Sequence, residues 1–431
     1  MGHVLLRAVK DADEVVPPET ALLRNTIADN AGNLIFSFAA QRILTTPATR
    51  VTADRFVIKP GDAERINEQY DAYVLPLANA FRLGYEPMLV RLTALIRRLR
   101  IPVVVLGVGS QAGVDNDTER LAPIAGTVRD FVSAVLDHGP SIGVRGELTR
   151  DYLVGLGFRD VDVIGCPSLF MEGDRLTIRP PTATLDATSR LAINVSPYLA
   201  RMGPIVQRHV ERYRDLVYIP QDIDTLELLL WGDPVAGVAP DDPRPIHLAH
   251  PLFRDDKVRF FLDPPPWFAF LAERDFAFGS RIHGTIAALI AGTPAVVLAH
   301  DSRTLELARY FDIPHRLLRD VDPATLDAAD LLAEADFGPL MTGHAERYAR
   351  FVGFLDRHGL DHVFRAPAPR PDPALRLGGG DWSAAVTVRS RVRPHGLSGQ
   401  LKRSRRRIKR LARSAQVRRI RTTLARLGGG R

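Results

Sequence analysis

Short apolar runs alternate with longer amphipathic segments along most of the chain, which is typical of an α/β protein built on parallel sheets. The runs are too short for helices and are bounded by polar residues, glycine or proline, so we predict that they form strands. The predicted strands are 71–78, 101–106, 141–144, 161–164, 191–195, 215–219, 258–262, 275–279 and 295–298. The predicted helices include 86–100, 128–136, 147–156, 266–272, 285–291, 305–311 and 344–358.

This alternation of strand and helix occurs twice, which predicts two domains. A chain of 431 residues also exceeds the usual size of a single domain. We predict a first Rossmann-like domain over residues 1–185 and a second over 186–365, facing each other across a cleft. A linker rich in proline and glycine over 366–390 and a basic tail over 391–431 complete the predicted organisation.

The positive charge of the chain is concentrated in the tail. The net charge is +7, but residues 391–431 hold 15 Lys and Arg and no Asp or Glu, so the rest has 42 basic against 50 acidic residues, a net charge of −8. The globular part is therefore not expected to bind nucleic acid. Apolar residues recur among the tail's arginines at roughly helical spacing, which is typical of helices on an anionic membrane surface. A disordered basic extension or a helix that binds another protein fits the tail as well.

Cysteine usage and the first residues indicate where the protein resides. Cys166 is the single cysteine, which excludes an internal disulfide framework and favours a reducing cytosol. The opening residues 1–7 lack the apolar core of a signal peptide, and no apolar run is long enough to span a bilayer. We therefore expect a cytoplasmic protein, peripheral at the inner face of the plasma membrane if the tail binds lipid.

The candidate chemistry is concentrated in residues 278–294, where a buried strand leads into a helix over 285–291. Between strand and helix lie a cation, Arg281, an imidazole, His283, and Gly284, which lets backbone approach a ligand closely. A helix N-terminus offers free N–H groups and a partial positive charge, so this corner suits an anion. The pattern predicts a site for a small donor with a phosphate and a carboxylate, where His283 moves protons.

Other strand ends add candidates, because ligands of open α/β sheets bind beyond the carboxyl ends of the strands. Arg145 follows one predicted strand, and Ser302 and Arg303 follow another. The remaining binding candidates, from a glycine-rich loop and a further strand end, are Gly109, Ser110 and Asn194. A surface ion pair for Arg145, and close strand–helix packing at the glycines, also fit the sequence.

Several familiar sites are excluded by spacing. The G-x-G-x-x-x-G of residues 107–113 is not the dinucleotide fingerprint, and no acidic residue is well placed for a ribose, so NAD is discounted. No cluster of His, Cys and Glu has metal-ligand spacing, and neither a Gly-x-Ser-x-Gly elbow nor a phosphate-loop lysine occurs. We predict no cofactor and no metal.

Taken together, these motifs resemble those of the polysaccharide pyruvyl transferase family. The combination is specific although no single piece is, and it covers about residues 20–320. The matching stretches are Val105–Gln111, Ser141–Thr149, Val163–Ser168, Gly279–Gly284, Ala291–Pro294 and His300–Thr304, with Glu306, Ile313 and Pro314. The resemblance implies a glycosyltransferase-B-like fold, with two Rossmann-like domains facing a cleft.

The resemblance also implies a reaction, in which the enolpyruvyl carbons of phosphoenolpyruvate move onto a sugar as a cyclic ketal and phosphate leaves. The acceptor would be a sugar or lipid-linked saccharide of a cell-envelope or extracellular polysaccharide. The family's Arg-x-His implies that Arg281 clamps the donor and that His283 is the acid/base or a donor ligand. Arg145 would close over the anion from the first domain, with Ser302 and Arg303 as secondary candidates.

The acceptor side departs from the family. Its common N-terminal Gly-Asp loop stands here as Asn30-Ala-Gly-Asn33. These residues precede an apolar helical pattern, and they fit either a helix cap or a loop that faces the cleft. This difference from the family affects the predicted acceptor site more than the predicted donor site.

Two other functions fit the same sequence. One is a glycosyltransferase of the same architecture that uses a nucleotide-sugar donor, and the other is a non-catalytic envelope-assembly protein held at the membrane by its tail. Affinity for phosphoenolpyruvate against UDP- or GDP-sugars distinguishes the first. Phosphate release in the presence of a sugar acceptor distinguishes the second.

Overall fold

The computed structural model describes residues 2–112, 117–180, 184–233, 239, 241–365, 382–391 and 403–404. Two parallel sheets are flanked by helices, so the predicted α/β fold is confirmed. The strands are β1 (Gly2–Leu6), β2 (Thr49–Ala53), β3 (Ala72–Pro76), β4 (Val103–Leu106), β5 (Ile142–Val144), β6 (Val161–Val163), β7 (Arg190–Asn194), β8 (Asp215–Tyr218), β9 (Phe276–Gly279), β10 (Ala295–Ala299) and β11 (His315–Leu317).

The first domain is built on a sheet with the strand order β2-β1-β3-β4. A bridge between Val108 and Val144 continues this sheet into the paired strands β5 and β6. Every pairing is parallel, so the strands end at one common edge. The loops after β1, β3, β4 and β5 therefore gather at that edge.

The second domain has the parallel order β11-β10-β9-β7-β8. The central strands β9 and β10 are buried along their whole length, which matches a parallel sheet covered on both faces. The carboxyl ends of β7, β9 and β10 face those of the first domain across a cleft. Two Rossmann-like domains facing a cleft form the predicted glycosyltransferase-B-like architecture.

Helices connect the strands and cover both sheets. The α-helices are α1 (Pro18–Arg24), α2 (Gly32–Leu44), α3 (Ala63–Gln69), α4 (Glu86–Ile96), α5 (Ala125–Leu136), α6 (Glu147–Gly155), α7 (Met202–Arg212), α8 (Ile223–Trp231), α9 (Pro251–Arg254), α10 (Pro264–Ala272), α11 (Ile282–Ile290), α12 (Ser302–Phe311), α13 (Ala328–Ala333), α14 (Gly338–Thr342) and α15 (His344–Arg357). Short 3₁₀ helices span Pro60–Asp62, Leu83–Tyr85, Thr118–Ile124, Pro167–Phe170 and Val388–Ser390.

Local differences from the predicted elements have physical reasons. The predicted strand 258–262 is wrong, because Val258 and Phe260 make only isolated bridges while the run packs into the core. A short apolar run cannot by itself distinguish a strand from other buried backbone. Strands β1, β2 and β11 were not predicted. Helix α11 begins at Ile282, three residues before the predicted start, and this places His283 in its first turn.

Gly279 at the end of β9 is required by the backbone. Its φ is +148°, and a Cβ there would lie 1.9 Å from the backbone oxygen of Asn194. The close approach lets the ends of β7 and β9 lie side by side, with Ser280 N–H donating to the oxygen of Asn194 at 3.0 Å. The chain then turns directly into α11.

Helix α15 joins the two domains. After the second sheet is complete, α15 packs back on the first domain, where Arg357 pairs with Asp162 at 2.8 Å and Nε2 of His358 contacts the oxygen of Ser141 at 2.9 Å. The phenyl ring of Phe354 lies against Gly143 of β5. One hydrophobic core consequently extends through both domains, and a second lies within the first domain.

The described part of the predicted linker is packed on the protein. Trp382 lies edge-on to Phe38 of α2, and Val386 is buried and pairs through its backbone with Phe260. Arg403 of the predicted tail forms an ion pair with Asp233. Apart from Arg391, Arg403 and Ser404, the predicted amphipathic tail lies outside the described residues. None of the described helices combines the length and apolarity needed to cross a bilayer.

Candidate functional site

A cavity of about 540 Å³ lies between the two domains, where the carboxyl ends of both sheets meet. Ligands of open α/β sheets bind at this position, and the volume is in the usual range for small-molecule sites. Four of the predicted site residues line it, namely Arg145, Arg281, His283 and Arg303. The structure thus brings together groups from three separate strand ends.

Helix α11 presents the first two of these residues. Arg281 precedes the helix, and its backbone N–H donates to Oδ1 of Asn194 at 2.7 Å. Its guanidinium lies over the ring of Tyr198, 5.9 Å from the centroid. The Nε atom is buried and has no hydrogen-bond partner in the described part of the chain. Arg281 is therefore held at its backbone while its side chain has unused donor capacity.

His283 is 7% exposed and lies in the first turn of the same helix. Its ring packs 5.5 Å from that of Phe36, and Nε2 is 3.8 Å from Sγ of Cys166. Burial, together with the nearby charges of Arg145 and Arg303, lowers its pKa to about 3. His283 is thus a neutral imidazole at physiological pH.

Arg145 reaches the cavity from the end of β5. It is 3% exposed, and its guanidinium makes only long contacts of 3.4 Å to the oxygen of Gly107. Burial lowers its pKa, although Glu306 opposes the shift. A buried cation without a close carboxylate is costly, so the position favours an anionic ligand.

Helix α12 brings the second N-terminus to the cavity. The Asp301 carboxylate accepts from the N–H of Thr304 and forms an ion pair with Arg303. Burial opposes ionisation of Asp301, but Arg303 and His300 outweigh it and lower its pKa to about 2. The hydroxyl of Tyr198 lies 3.0 Å from Nε2 of His300 and completes the wall. Two helix N-termini and their arginines thus face one space.

The remaining five predicted site residues lie behind the cavity wall, where they pack around the residues that line it or hydrogen-bond to nearby groups. A Cβ on Gly109 would lie 2.4 Å from the Arg145 side chain, and one on Gly284 would lie 2.6 Å from Nε2 of Gln221. The N–H of Ser110 donates to Oγ1 of Thr149, while the hydroxyl of Ser302 donates to the oxygen of Ala112. Asn194 anchors Arg281, as described. Gly109, Ser110, Asn194, Gly284 and Ser302 therefore lie outside the cavity lining.

The loop before α2 and the first turn of that helix form part of the cavity, and Ala31 at the N-cap position gives the helix no side-chain cap. Asn30 and Asn33 line the cavity, and Oδ1 of Asn30 accepts from the N–H of Gly32. A Cβ on Gly32 would lie 2.7 Å from Oε1 of Gln221 and 3.0 Å from Cβ of His283. Glycine at this position therefore allows α2 to approach α11 closely.

Sequence reasoning missed two arginines of the first domain. Arg7 follows β1 and pairs with Asp54 at 3.1 Å, and Arg82 lies in the loop after β3. Both stand beyond strand ends, so the rule that identified Arg145 could have found them. The signal for Arg7 was lost because β1 was not predicted.

Glu306 connects the domains next to Arg145. Its carboxylate accepts from the N–H of Thr149 at 2.7 Å and from its hydroxyl at 3.0 Å. Burial raises the pKa of Glu306 to about 7, despite the attraction of Arg145. The carboxyl thereby fixes the start of α6, which follows Arg145 directly.

The architecture and the cavity define a two-domain, glycosyltransferase-B-like protein with a cleft lined by arginines. The chain belongs to the polysaccharide pyruvyl transferase family, whose model matches residues 30–302, more than half of the sequence. The family indicates a transferase. A search of the curated proteins finds no significant match.

Several solved structures align with most of this chain at low sequence identity. UDP-N-acetylglucosamine 2-epimerase from Rickettsia bellii is 13% identical, with a TM-score of 0.44 over 84% of this chain and 96% of that one. The Methanocaldococcus jannaschii UDP-GlcNAc 2-epimerase, in complex with UDP-GlcNAc and UDP, is 10% identical, with a TM-score of 0.43 over 83% and 99%. The S. aureus MnaA structure with UDP is 12% identical, with a TM-score of 0.41 over 85% and 99%.

Proposed function

We propose that the protein transfers the pyruvyl group of phosphoenolpyruvate to a sugar of a cell-envelope or extracellular polysaccharide, with ketal formation and release of phosphate. The observation that carries the proposal is the meeting of His283 with Arg145 and Arg281, two buried or part-buried cations without a carboxylate within 4 Å in the described residues. Family membership agrees with this chemistry.

The donor fits the charges of the cavity. Phosphoenolpyruvate carries a phosphate and a carboxylate, and each can accept charge-assisted hydrogen bonds from guanidinium groups. Arg145 approaches from the first domain, whereas Arg281 and Arg303 approach from the second. The N-termini of α11 and α12 add partial positive charge at the same place. In this proposal the bound donor contacts residues of both domains.

His283 is the proposed proton carrier. Its imidazole is neutral in the absence of donor, and the negative charge of the donor would stabilise the imidazolium. The imidazolium then gives its proton to the methylene carbon, so that the adjacent carbon becomes electrophilic and bonds to an acceptor oxygen. The neutral ring accepts the proton of that hydroxyl. A second acceptor oxygen closes the ketal as the carbon–phosphate oxygen bond breaks, and its proton leaves with the phosphate.

The neighbouring part of the cavity is the proposed acceptor site. Asn30, Asn33 and Gln221 present amides, and Tyr198 presents an aromatic ring that is half exposed. Amides and aromatic rings suit the hydroxyls and apolar faces of a sugar. These residues lie on both domains, and in the proposal they hold the acceptor beside the donor.

Ligand choice tests the proposed function directly. We expect phosphoenolpyruvate to raise the melting temperature of the protein by several degrees, and UDP- and GDP-sugars to leave it unchanged, because a tightly bound ligand stabilises the folded state. Phosphate release should require both phosphoenolpyruvate and a sugar from a panel of soluble and lipid-linked acceptors. Stabilisation by a nucleotide-sugar alone would instead support the glycosyltransferase alternative.

The tail is the proposed membrane contact. Residues 405–431 contain 11 Lys and Arg and no acidic residue, and each basic residue near an anionic surface contributes about 1 kcal/mol at low salt. We expect the full chain to pellet with vesicles containing phosphatidylserine and a chain truncated after Ser404 to remain in the supernatant, with equal activity on a soluble acceptor. Equal pelleting of the two chains would exclude the tail as the membrane contact.

A further inference from the structure

The cavity carries more positive charge than the proposed donor needs. Five arginines line it, whereas Asp29 is the single carboxylate among its described lining residues. Arg7 and Arg303 are already paired, with Asp54 and Asp301. In the described residues, the other three arginines have no carboxylate oxygen within 4 Å, and they are Arg82, Arg145 and Arg281.

Two of these three arginines belong with the donor. The charge of Arg145 acts directly on His283, and Arg281 is separated from His283 by one residue in the same helix start. Phosphoenolpyruvate has two anionic groups. This assignment rests on the proposed function and leaves Arg82 without a donor group to bind.

Arg82 lies on the wall of the first domain. Its guanidinium is 5.8 Å from the ring centroid of Tyr85, and its Nε is buried without a partner in the described chain. Burial, followed by repulsion from Arg303, lowers its pKa, while Tyr85 and Asp29 oppose the shift. The charge of Asp29 therefore does not compensate for the burial of this cation.

A second unpartnered atom lies at the same strand end. Asn79 follows β3, and its amide nitrogen donates to Oε1 of Gln111 at 3.1 Å. Its Oδ1 is buried and has no partner in the part of the chain that the structure describes. A hydroxyl could donate to this oxygen while an anion binds the neighbouring Arg82. The combination suits a sugar that also carries a negative charge.

We propose that Arg82 binds an anionic group of the acceptor, so that the acceptor is a negatively charged saccharide. The charge is a phosphate or a carboxylate, since a guanidinium binds either in the same two-pronged geometry. Arg82 thereby selects the acceptor and takes no part in donor binding.

The first test uses the full chain saturated with phosphoenolpyruvate and inorganic pyrophosphate as the probe in calorimetric titrations. We expect one pyrophosphate to bind without displacing phosphoenolpyruvate. Arg82→Gln should weaken this binding about 10- to 100-fold, because a charge-assisted contact is lost, and Arg82→Lys should restore part of it. Arg91→Gln, on the exposed face of α4, is the matched control and should bind as the wild type does.

The outcomes separate this proposal from the proposed function. Equal pyrophosphate binding by wild type and Arg82→Gln, displacement of phosphoenolpyruvate by pyrophosphate, or weaker phosphoenolpyruvate binding by Arg82→Gln would each overturn the role of Arg82. If phosphoenolpyruvate fails to bind the wild type, the proposed function fails instead. The dependence of pyrophosphate binding on Arg82 would still be measurable in the protein alone.

A second arm identifies the anionic group. A hexose 1-phosphate, a hexuronate and a methyl hexoside are compared as ligands of the protein saturated with phosphoenolpyruvate. Tighter binding of the hexose phosphate supports a phosphorylated acceptor, and tighter binding of the hexuronate supports a carboxylated one. A methyl hexoside that binds as tightly as both charged sugars would contradict the proposal.

Discussion

Replacing His283 by alanine is expected to lower turnover about 10²- to 10⁴-fold, the usual contribution of a well-placed acid/base group. The fold should survive, because the ring lies at the cavity wall, packs on Phe36, and in the described residues makes only one polar contact, a long one to Cys166. Phosphate release at saturating phosphoenolpyruvate and acceptor measures the first effect, and the thermal melting curve measures the second. Near-normal ketal formation by the variant would refute the role of His283.

We also expect donor binding to be coupled to proton uptake by His283. In the absence of donor the pKa of His283 is about 3, so the ring is neutral at pH 7. If the donor's charge raises this pKa, binding takes up a proton, and donor affinity falls as the pH rises through the raised value. Titration in buffers of different ionisation enthalpy measures the uptake. His283→Gln should lose it, and an unchanged uptake in that variant would assign the proton to another group.

Arg145→Met is expected to weaken phosphoenolpyruvate binding about 100-fold or more, since a guanidinium that makes two charge-assisted hydrogen bonds contributes roughly 3 kcal/mol or more. The empty protein should melt at the same temperature as the wild type or higher. A buried cation without a close partner is destabilising, and an unbranched apolar side chain of similar length fills the space without a charge.

The pH of the melting measurement on Arg145→Met has to be chosen with regard to the groups next to Arg145. Glu306 has a pKa of about 7 and is attracted by Arg145. Melting should therefore be compared at pH 6, where the Glu306 carboxyl is mostly protonated and removal of the arginine leaves no buried anion. Gly109→Ala is the matched variant, because its methyl group would displace the guanidinium without removing it. A large loss of stability in Arg145→Met would indicate a structural role instead.

Four of the side chains that line the cavity could be predicted from the sequence. Arg145 follows a strand of the first domain, whereas Arg281, His283 and Arg303 follow two strands of the second, and they line one space because the carboxyl ends of both sheets face the cavity. The α/β fold was predictable for the same reason, since short apolar runs separated by amphipathic segments leave few arrangements.

The parts that escaped prediction depend on tertiary contacts. Strand β1 is too near the chain start to show a clear alternation, and with it Arg7 was missed. Residues 258–262 have the composition of a strand, but their backbone pairs only at single positions. Ser302 and Gly284 were predicted to bind substrate, and they follow the predicted strands but lie outside the cavity lining. Whether a side chain points into a cavity or behind it depends on the turn geometry, which composition does not reveal.

Because α15 packs against the first sheet, the two halves of the chain are not expected to fold when they are produced separately. A fragment that stops after the sixth strand would lack Phe354 and His358 and expose the apolar surface beneath them. A fragment starting at the seventh strand would carry a helix whose partner surface is missing. We therefore expect neither half to be soluble when produced separately, whereas co-expression of the two halves should yield a complex that copurifies.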